Sequence, residues 1–170
     1  MNIQPVTMLD DAIINAPFGQ VRISLRHARL MIELLSPSSP SLTTVTEITL
    51  EKSSRNPLVS LACLQVIQYL QQSDSAFNLP IEQRGTAFQQ RVWEAIAAIP
   101  LGQTMTYGEL AQQVGSGPRA VANACGANQL PLAIPCHRVV AKNGLGGFMQ
   151  GKHNGLFIKQ WLLQHEHARC

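Results

Sequence analysis

Thr106-Tyr-Gly-Glu-Leu-Ala-Gln-Gln-Val-Gly-Ser-Gly-Pro-Arg-Ala-Val-Ala-Asn-Ala-Cys-Gly-Ala127 is the stretch whose pattern settles what kind of fold this chain forms. Thr106 with Glu109 matches a capping box, in which a hydroxyl and a carboxylate reciprocally satisfy the free backbone donors of a helix start. Two short helices are predicted, about residues 107–114 and 118–127, separated by Gly115-Ser-Gly117. That spacing is a helix-turn-helix, and on spacing alone it also describes two helices packed into a core. Arg119 lies in the first turn of the second helix, followed by Ala120, Val121, Ala122, Ala124, Gly126 and Ala127. Little on this helix reaches a base edge except Arg119 and Asn123, so it reads sequence poorly. Small residues let its backbone approach phosphates or a minor groove, and one arginine can enter a base stack.

On the N-terminal side, Thr86-Ala-Phe-Gln89 is a second capping box. Phe88, Val92, Trp93 and Ile96 then form one apolar face, and Ile99-Pro-Leu-Gly102 stops the helix. Residues 73–84, with Pro80, form a linker. Residues 57–72 are predicted helical, with Val59, Cys63, Val66, Ile67 and Leu70 on one face and Pro57 in the first turn. Residues 12–14 and 21–26 alternate about Pro17-Phe-Gly-Gln20, the pattern of a hairpin, with residues 30–35 as a further strand. Ser36-Pro-Ser-Ser-Pro-Ser41 is a loop by composition. On the C-terminal side a last helix is predicted over about residues 155–164, with Ile158, Trp161 and Leu162 facing inward. The reading is an α/β fold with domains at residues 1–82 and 86–170, the second mostly helical.

The chain has 170 residues, 45% hydrophobic and 14% charged, which fits a globular core and excludes a disordered chain. No apolar run approaches the ~20 residues that span a bilayer. No secretory signal is visible, so a cytoplasmic protein is expected, or a nuclear one in a eukaryote. Cys63, Cys125, Cys136 and Cys170 form no Cys-x-x-Cys pair, which argues against a disulfide framework and a zinc ribbon. Residues 86–170 carry seven basic side chains against three Glu, while residues 1–85 carry six basic against seven acidic. A basic half is compatible with a polyanionic partner.

Ile134-Pro-Cys-His-Arg-Val-Val140 is the most specific feature. A partly buried cysteine is ordinarily a small hydrophobe. Here His137 and Arg138 follow Cys136 directly, and cationic or hydrogen-bonding neighbours lower a thiol's pKa. His137 is placed to take the thiol proton through a bridging water, and Glu166 is the best-placed acid to orient it.

With these motifs, the chain closely resembles the O6-methylguanine-DNA methyltransferase family. The resemblance spans residues 86–166, through Gly85-Thr-Ala-Phe-Gln-Gln-Arg-Val-Trp93, Thr106-Tyr-Gly-Glu-Leu-Ala111, Arg119-Ala-Val121, Gly126-Ala-Asn128, the cysteine motif and Lys159-Gln-Trp-Leu-Leu-Gln-His-Glu166. The first region matches only through the Pro17-Phe-Gly-Gln20 hairpin. The resemblance implies a small RNase H-like α/β domain before a mostly helical, winged-helix-like domain with the helix-turn-helix. It implies single-turnover repair of O6-alkylguanine, with O4-alkylthymine as a further candidate substrate, and with no cofactor and no metal. Cys136 would accept the alkyl group, and His137 would be the base oriented by Glu166. Asn128 would hold the cysteine turn, and Tyr107 would give a proton or hydrogen bond toward guanine N3. Arg119 would fill the stack behind the flipped nucleotide, with Ala120, Asn123 and Tyr107 at the DNA surface. The carbonyls of Cys136 and Val139 would accept from the guanine amino group, with Val139, Phe148, Met149 and Trp93 lining the pocket. The implied partner is double-stranded DNA, contacted without sequence preference by a monomer away from membranes.

Two features depart from the family. Gly146-Gly-Phe-Met-Gln-Gly-Lys-His-Asn-Gly155 stands where the family has a Gly-Tyr-x-Gly-Gly loop, so Phe148 replaces a tyrosine and a few residues are added. The zinc-binding Cys and His residues that some members carry near the start are absent, Cys63 and His27 standing alone, and His153, His165 and His167 match no metal-ligand spacing with Cys136. Trp161 is a core residue in this reading, as is Trp93 beside its pocket role. Cys125 faces the helix-pair core, and Cys170 is a terminal thiol. The competing reading is a DNA-binding module that recognises alkyl lesions without removing them; such relatives lack the cysteine that Cys136 supplies. A conventional cysteine hydrolase is disfavoured because cysteine and histidine are chain neighbours.

Overall fold

A computed structural model of the chain describes residues 10–36, 47–80, 83–148 and 155–167. The fold is mixed α/β. Strands β1 (Ala12–Ala16), β2 (Gly19–Arg26), β3 (Arg29–Leu35) and β4 (Thr49–Lys52) form an antiparallel sheet in the order β3-β2-β1-β4. Alternation sets its inner face, since Ala12, Ile14, Ala16, Val21, Ile23, Leu30, Ile32 and Leu34 are all buried. The predicted hairpin closes over Pro17 and Phe18, and Phe18 is fully buried. Strand β4, which the sequence reading missed, is exposed along its whole length and carries no alternation to reveal it. The β2–β3 turn places His27 and Ala28 at φ +50 and +61, the left-handed geometry that matches strand twist in tight hairpins.

Helix α1 (Pro57–Gln71) covers the sheet with Val59, Ala62, Cys63, Val66, Tyr69 and Leu70. Asn56 caps it by accepting from the backbone of Leu58 and Val59, and Pro57 supplies the preset φ of the first turn. Helix α2 (Ala87–Ala97) begins at the complete Thr86/Gln89 capping box. A Cβ on Gly85 would stand 2.5 Å from the Trp93 ring, so only glycine lets the chain enter α2 over that indole.

Strand β5 (Met105–Thr106) runs straight into helix α3 (Tyr107–Val114), which has its own complete capping box. Gly115 ends α3 at φ +71, and Gly117 starts helix α4 (Pro118–Gly126). The predicted pair of helices and its three-residue turn are therefore present. A 3-10 turn (Cys136–Arg138) leads into β6 (Val139–Val140), which pairs in parallel with β5. Helix α5 (Gly155–His167) extends beyond its predicted end far enough to include Glu166.

Among the described residues two cores form, the first drawing on both halves of the chain and the second on residues after 86 alone. One joins the sheet and α1 to Leu130, Leu132, Phe148, and Ile158 and Leu162 of α5. Trp161 packs edge-on against Phe18, with ring centroids 5.2 Å apart. The other joins α2, α3 and α4 through Val92, Trp93, Ile96, Leu110, Val121 and Ala124, with Val139. Each fully buried Leu, Ile or Val contributes roughly 1.5–3 kcal/mol. The two cores meet where the Ile32 N–H donates to the Gln129 carbonyl at 3.0 Å, fastening the free side of β3 to the loop after α4.

Candidate active site

Cys136 opens the 3-10 turn and is half-buried, after the buried Pro135. Its backbone N–H donates to the Ile134 carbonyl at 2.8 Å, holding the thiol at a tight corner. Asn128 braces that corner from both sides. Its Nδ2 donates to the Ile134 carbonyl at 2.9 Å, and its Oδ1 accepts the Leu130 N–H at 3.0 Å.

Behind the thiol lies a buried relay. The His137 imidazole is wholly buried, and its Nε2 meets Glu166 Oε1 at 2.7 Å. Glu166 also accepts from Tyr69 Oη at 2.8 Å and from Arg138 Nε and Nη2, each at 3.0 Å. Arg138 Nη1 donates to the Ile99 carbonyl at 2.7 Å. Burial alone would raise the Glu166 pKa, but the hydrogen bonds from His137 and Arg138 hold it down to about 2. Glu166 is therefore a carboxylate that only accepts, which fixes the proton of His137 on Nε2. Burial lowers the His137 pKa against the pull of Glu166, so the ring is neutral at pH 7. Its Nδ1 carries a free lone pair and has no hydrogen-bond partner among the described residues.

Sequence reasoning expected cationic neighbours to lower the pKa of Cys136. The structure corrects this. Burial pushes the thiol up, opposed by a hydrogen bond from Asn128 and by the charge of Lys159. Arg138 turns to Glu166 and spends its charge there. The resting thiol is neutral, so a base is needed to ionise it.

Tyr107 is the first residue of α3, and the β5–β6 pairing draws that helix start beside the cysteine turn. Its hydroxyl donates to the Gly147 carbonyl at 3.2 Å, and burial lifts its pKa to about 12. A Cβ on Gly146, which sits at φ +73, would lie 2.9 Å from the Tyr107 ring, so glycine is required there. Lys159 is wholly buried beneath the same loop. Its Nζ donates to the carbonyls of Val139 at 2.7 Å and Gly147 at 3.0 Å, and burial brings its pKa down to about 8. One lone pair of the Val139 carbonyl, expected to serve a guanine amino group, is thus already engaged.

The structure brings together Cys136, His137, Glu166, Asn128 and Tyr107. Val139 is fully buried next to them, and Phe148 is buried with its ring centroid 5.9 Å from Lys159 Nζ. Trp93 lies inside the helical core at 3% exposure, its indole N–H donating to the Ala124 carbonyl at 2.9 Å. Met149 lies outside the described residues, as do His153 and Cys170. Arg119 and Asn123 are exposed on α4 and Ala120 is half-exposed, while Val121 and Ala124 face the core. Among the described residues, no group of His, Cys, Asp or Glu is placed to hold a metal ion. None of their helices is long and apolar enough to cross a membrane.

Sequence reasoning gave no role to Tyr69 or Lys159 and sent Arg138 to the wrong partner. A signal for Lys159 was present, because Lys159, Leu162, Leu163 and Glu166 share a helical stripe in which two charged residues bound two leucines. Nothing local marks Tyr69.

Comparison with known proteins adds a second line of observation. The family model described as "6-O-methylguanine DNA methyltransferase, DNA binding domain" matches residues 87–168. A probable methylated-DNA–protein-cysteine methyltransferase of Acanthamoeba polyphaga mimivirus is 48% identical over 97 residues, covering 56% of this chain and 62% of that protein. The chain thus matches less than two thirds of that relative's length. The crystal structure of Mycobacterium tuberculosis O6-methylguanine methyltransferase superposes with a TM-score of 0.73 at 32% identity, over 96% of this chain and 95% of that one. An OGT of the same organism in complex with DNA gives a TM-score of 0.71 at 31% identity, over 93% and 92% of the two chains.

Proposed function

Because this chain belongs to the O6-methylguanine-DNA methyltransferase family, we propose that it repairs O6-alkylguanine in DNA by moving the alkyl group irreversibly onto Cys136. The observation that carries the reading is the Nδ1 of a neutral His137, unpartnered among the described residues, whose other nitrogen is fixed by Glu166 at 2.7 Å, next to a thiol whose pKa burial raises.

An alkyl carbon on O6 is hidden inside a duplex, so the nucleotide must first leave the stack, at a cost of a few kcal/mol. The helix-turn-helix lies on the DNA with its small-residue face, and Arg119 takes the vacated place in the stack. His137 Nδ1 then draws the Cys136 proton through a water, and Glu166 steadies the imidazolium that forms. The sulfur attacks the alkyl carbon, the C–S bond forms as the C–O6 bond breaks, and the electron pair leaves on guanine. Tyr107, protonated at its raised pKa, gives its proton toward N3, and the proton taken from the thiol restores the balance. A thioether offers no hydrolytic return, so each molecule acts once. The atoms balance without a cofactor. An RNase H-like first region, a winged-helix-like second region, action as a monomer, and acceptance of O4-alkylthymine complete the proposal.

Mass spectrometry after incubation with an O6-methylguanine duplex tests it. The peptide bearing Cys136 is expected to gain about 14 Da, one methylene, at one equivalent per protein. Cys136→Ala is expected to bind the duplex and gain nothing. Methylated guanine left intact by folded protein with a free thiol would overturn the reading.

A further inference from the structure

Glu166 receives more donors than the alkyl-transfer chemistry uses. Among the described residues its Oε1 accepts from His137 Nε2 at 2.7 Å, from Tyr69 Oη at 2.8 Å and from Arg138 Nη2 at 3.0 Å. Its Oε2 accepts from Arg138 Nε at 3.0 Å. A carboxylate oxygen presents about two lone pairs, so three donors on Oε1 compete for the same charge. Each draws electron density from the oxygen and weakens its hold on the others.

Tyr69 is the donor that alkyl transfer leaves unexplained. It sits near the end of α1, 97 positions before Glu166, at 2% exposure. Burial, with the Glu166 charge beside it, pushes its phenol above the ordinary range, so the hydroxyl keeps its proton and donates. Its ring is seated independently of that bond. Phe77 packs at 5.6 Å between centroids and His165 edge-on at 5.5 Å, while His165 Nε2 donates to the Tyr69 carbonyl at 2.8 Å. Tyr69 and Arg138 line a cleft of about 370 Å³, and Glu166, itself 2% exposed, is not among the residues lining it. A buried phenol needs an acceptor for its own sake, and either carboxylate oxygen would serve that need. The hydroxyl meets Oε1, the oxygen that also holds His137.

We propose that Tyr69 is a positioning residue of the relay. Its hydroxyl takes a share of Oε1, tempers the pull of Glu166 on the His137 Nε2–H, and so sets how basic Nδ1 is. The proposal rests on His137 serving as the base for Cys136, but its test needs no transfer from DNA. Tyr69→Phe keeps the ring and removes the hydroxyl. In NMR spectra of the whole chain, the His137 Nε2–H resonance is expected to move downfield in this variant, as its bond to Glu166 tightens. Incorporation of 3-fluorotyrosine makes the phenol a stronger donor and is expected to move the same resonance upfield. The chain has two tyrosines, so repeating this in Tyr107→Phe confines the effect to Tyr69. Iodoacetamide labelling of the Cys136 peptide, read by mass spectrometry at pH 7, is expected to run about two- to threefold faster in Tyr69→Phe, because a more basic imidazole draws the thiol proton more readily. Arg138 and Lys159, the other charges that act on His137, are retained in every variant. A hydroxyl that only satisfies itself would leave the resonance in place, or let it drift upfield as the relay loosens, with labelling unchanged or slower. Any of these results in Tyr69→Phe would overturn the proposal. Should Tyr69→Phe not fold, the fluorotyrosine shift decides, and no upfield movement would overturn it equally. A folded parent that takes nothing from an O6-methylguanine duplex would sink the repair function while the resonance still reads the relay.

Discussion

The turn at Cys136 and the outer face of α4 are near neighbours in the chain, yet they are built in opposite ways. Behind the cysteine, side chains from α1, the 3-10 turn and α5 converge on one buried carboxylate, and every proton on it has a defined position. On α4, Arg119, Ala122 and Asn123 lie open, and what the helix offers is mostly the absence of bulk. The first arrangement organises a reacting group before any partner arrives, so dipoles need not reorient during the step. The second acquires meaning only against another surface. Substitutions in the two places should therefore leave different signatures.

The largest effect is expected from Glu166→Gln. It leaves Arg138 a nearly buried cation without its counter-charge and frees the His137 ring. Loss of one partner from such a pair costs about 3–5 kcal/mol, read as a fall in the urea midpoint. Alkyl transfer should fall with it. The folded-state pKa of Glu166 lies near 2, below its ordinary 4.5, so its stabilisation is fully present above about 4.5. It is lost as pH falls from there toward 2. The gap between parent and variant should narrow across that window, and a constant gap would break the electrostatic account.

Arg119→Ala sharpens the contrast from the other side. Stability should stay within about 0.5 kcal/mol of the parent, as for an exposed residue. Transfer from a duplex should slow by roughly tenfold or more, because flipping costs a few kcal/mol and loses its support. Transfer from free O6-benzylguanine should not change, and equal losses on both substrates would remove the finger role.

The smallest effect is expected from Thr106→Ala. It breaks the capping box where β5 becomes α3, at a cost of about 1 kcal/mol in a urea titration. Because Tyr107 is the next residue, transfer should drop slightly with stability. A loss of transfer at full stability would mean that Thr106 acts directly at the site.

The sequence expectation that failed is instructive. Cys136, His137 and Arg138 are adjacent, and adjacency suggested that the arginine's charge would reach the sulfur. In the fold the arginine points to Glu166, and the lysine that does influence the thiol comes from α5. Neighbours in the chain share a turn without sharing a direction.

What could be read in advance was local. Both capping boxes, the Pro57 and Pro118 helix starts, the Gly115-Ser-Gly117 turn and the first hairpin depend on groups within a few residues of each other, so short-range patterns encode them. The cysteine motif and its Glu166 partner were legible from residue chemistry, and family likeness supplied the roles of Asn128 and Tyr107. Strand β4 escaped because an exposed edge strand has no buried face to impose a period. The parallel β5–β6 pairing that seats Tyr107 beside Cys136, the Tyr69 hydroxyl on Glu166, the ammonium of Lys159 under Gly147 and the upward shift of the thiol's pKa belong to the folded molecule. Each depends on desolvation or on contact across a long stretch of chain, and both quantities come into being only when separate segments close on one another.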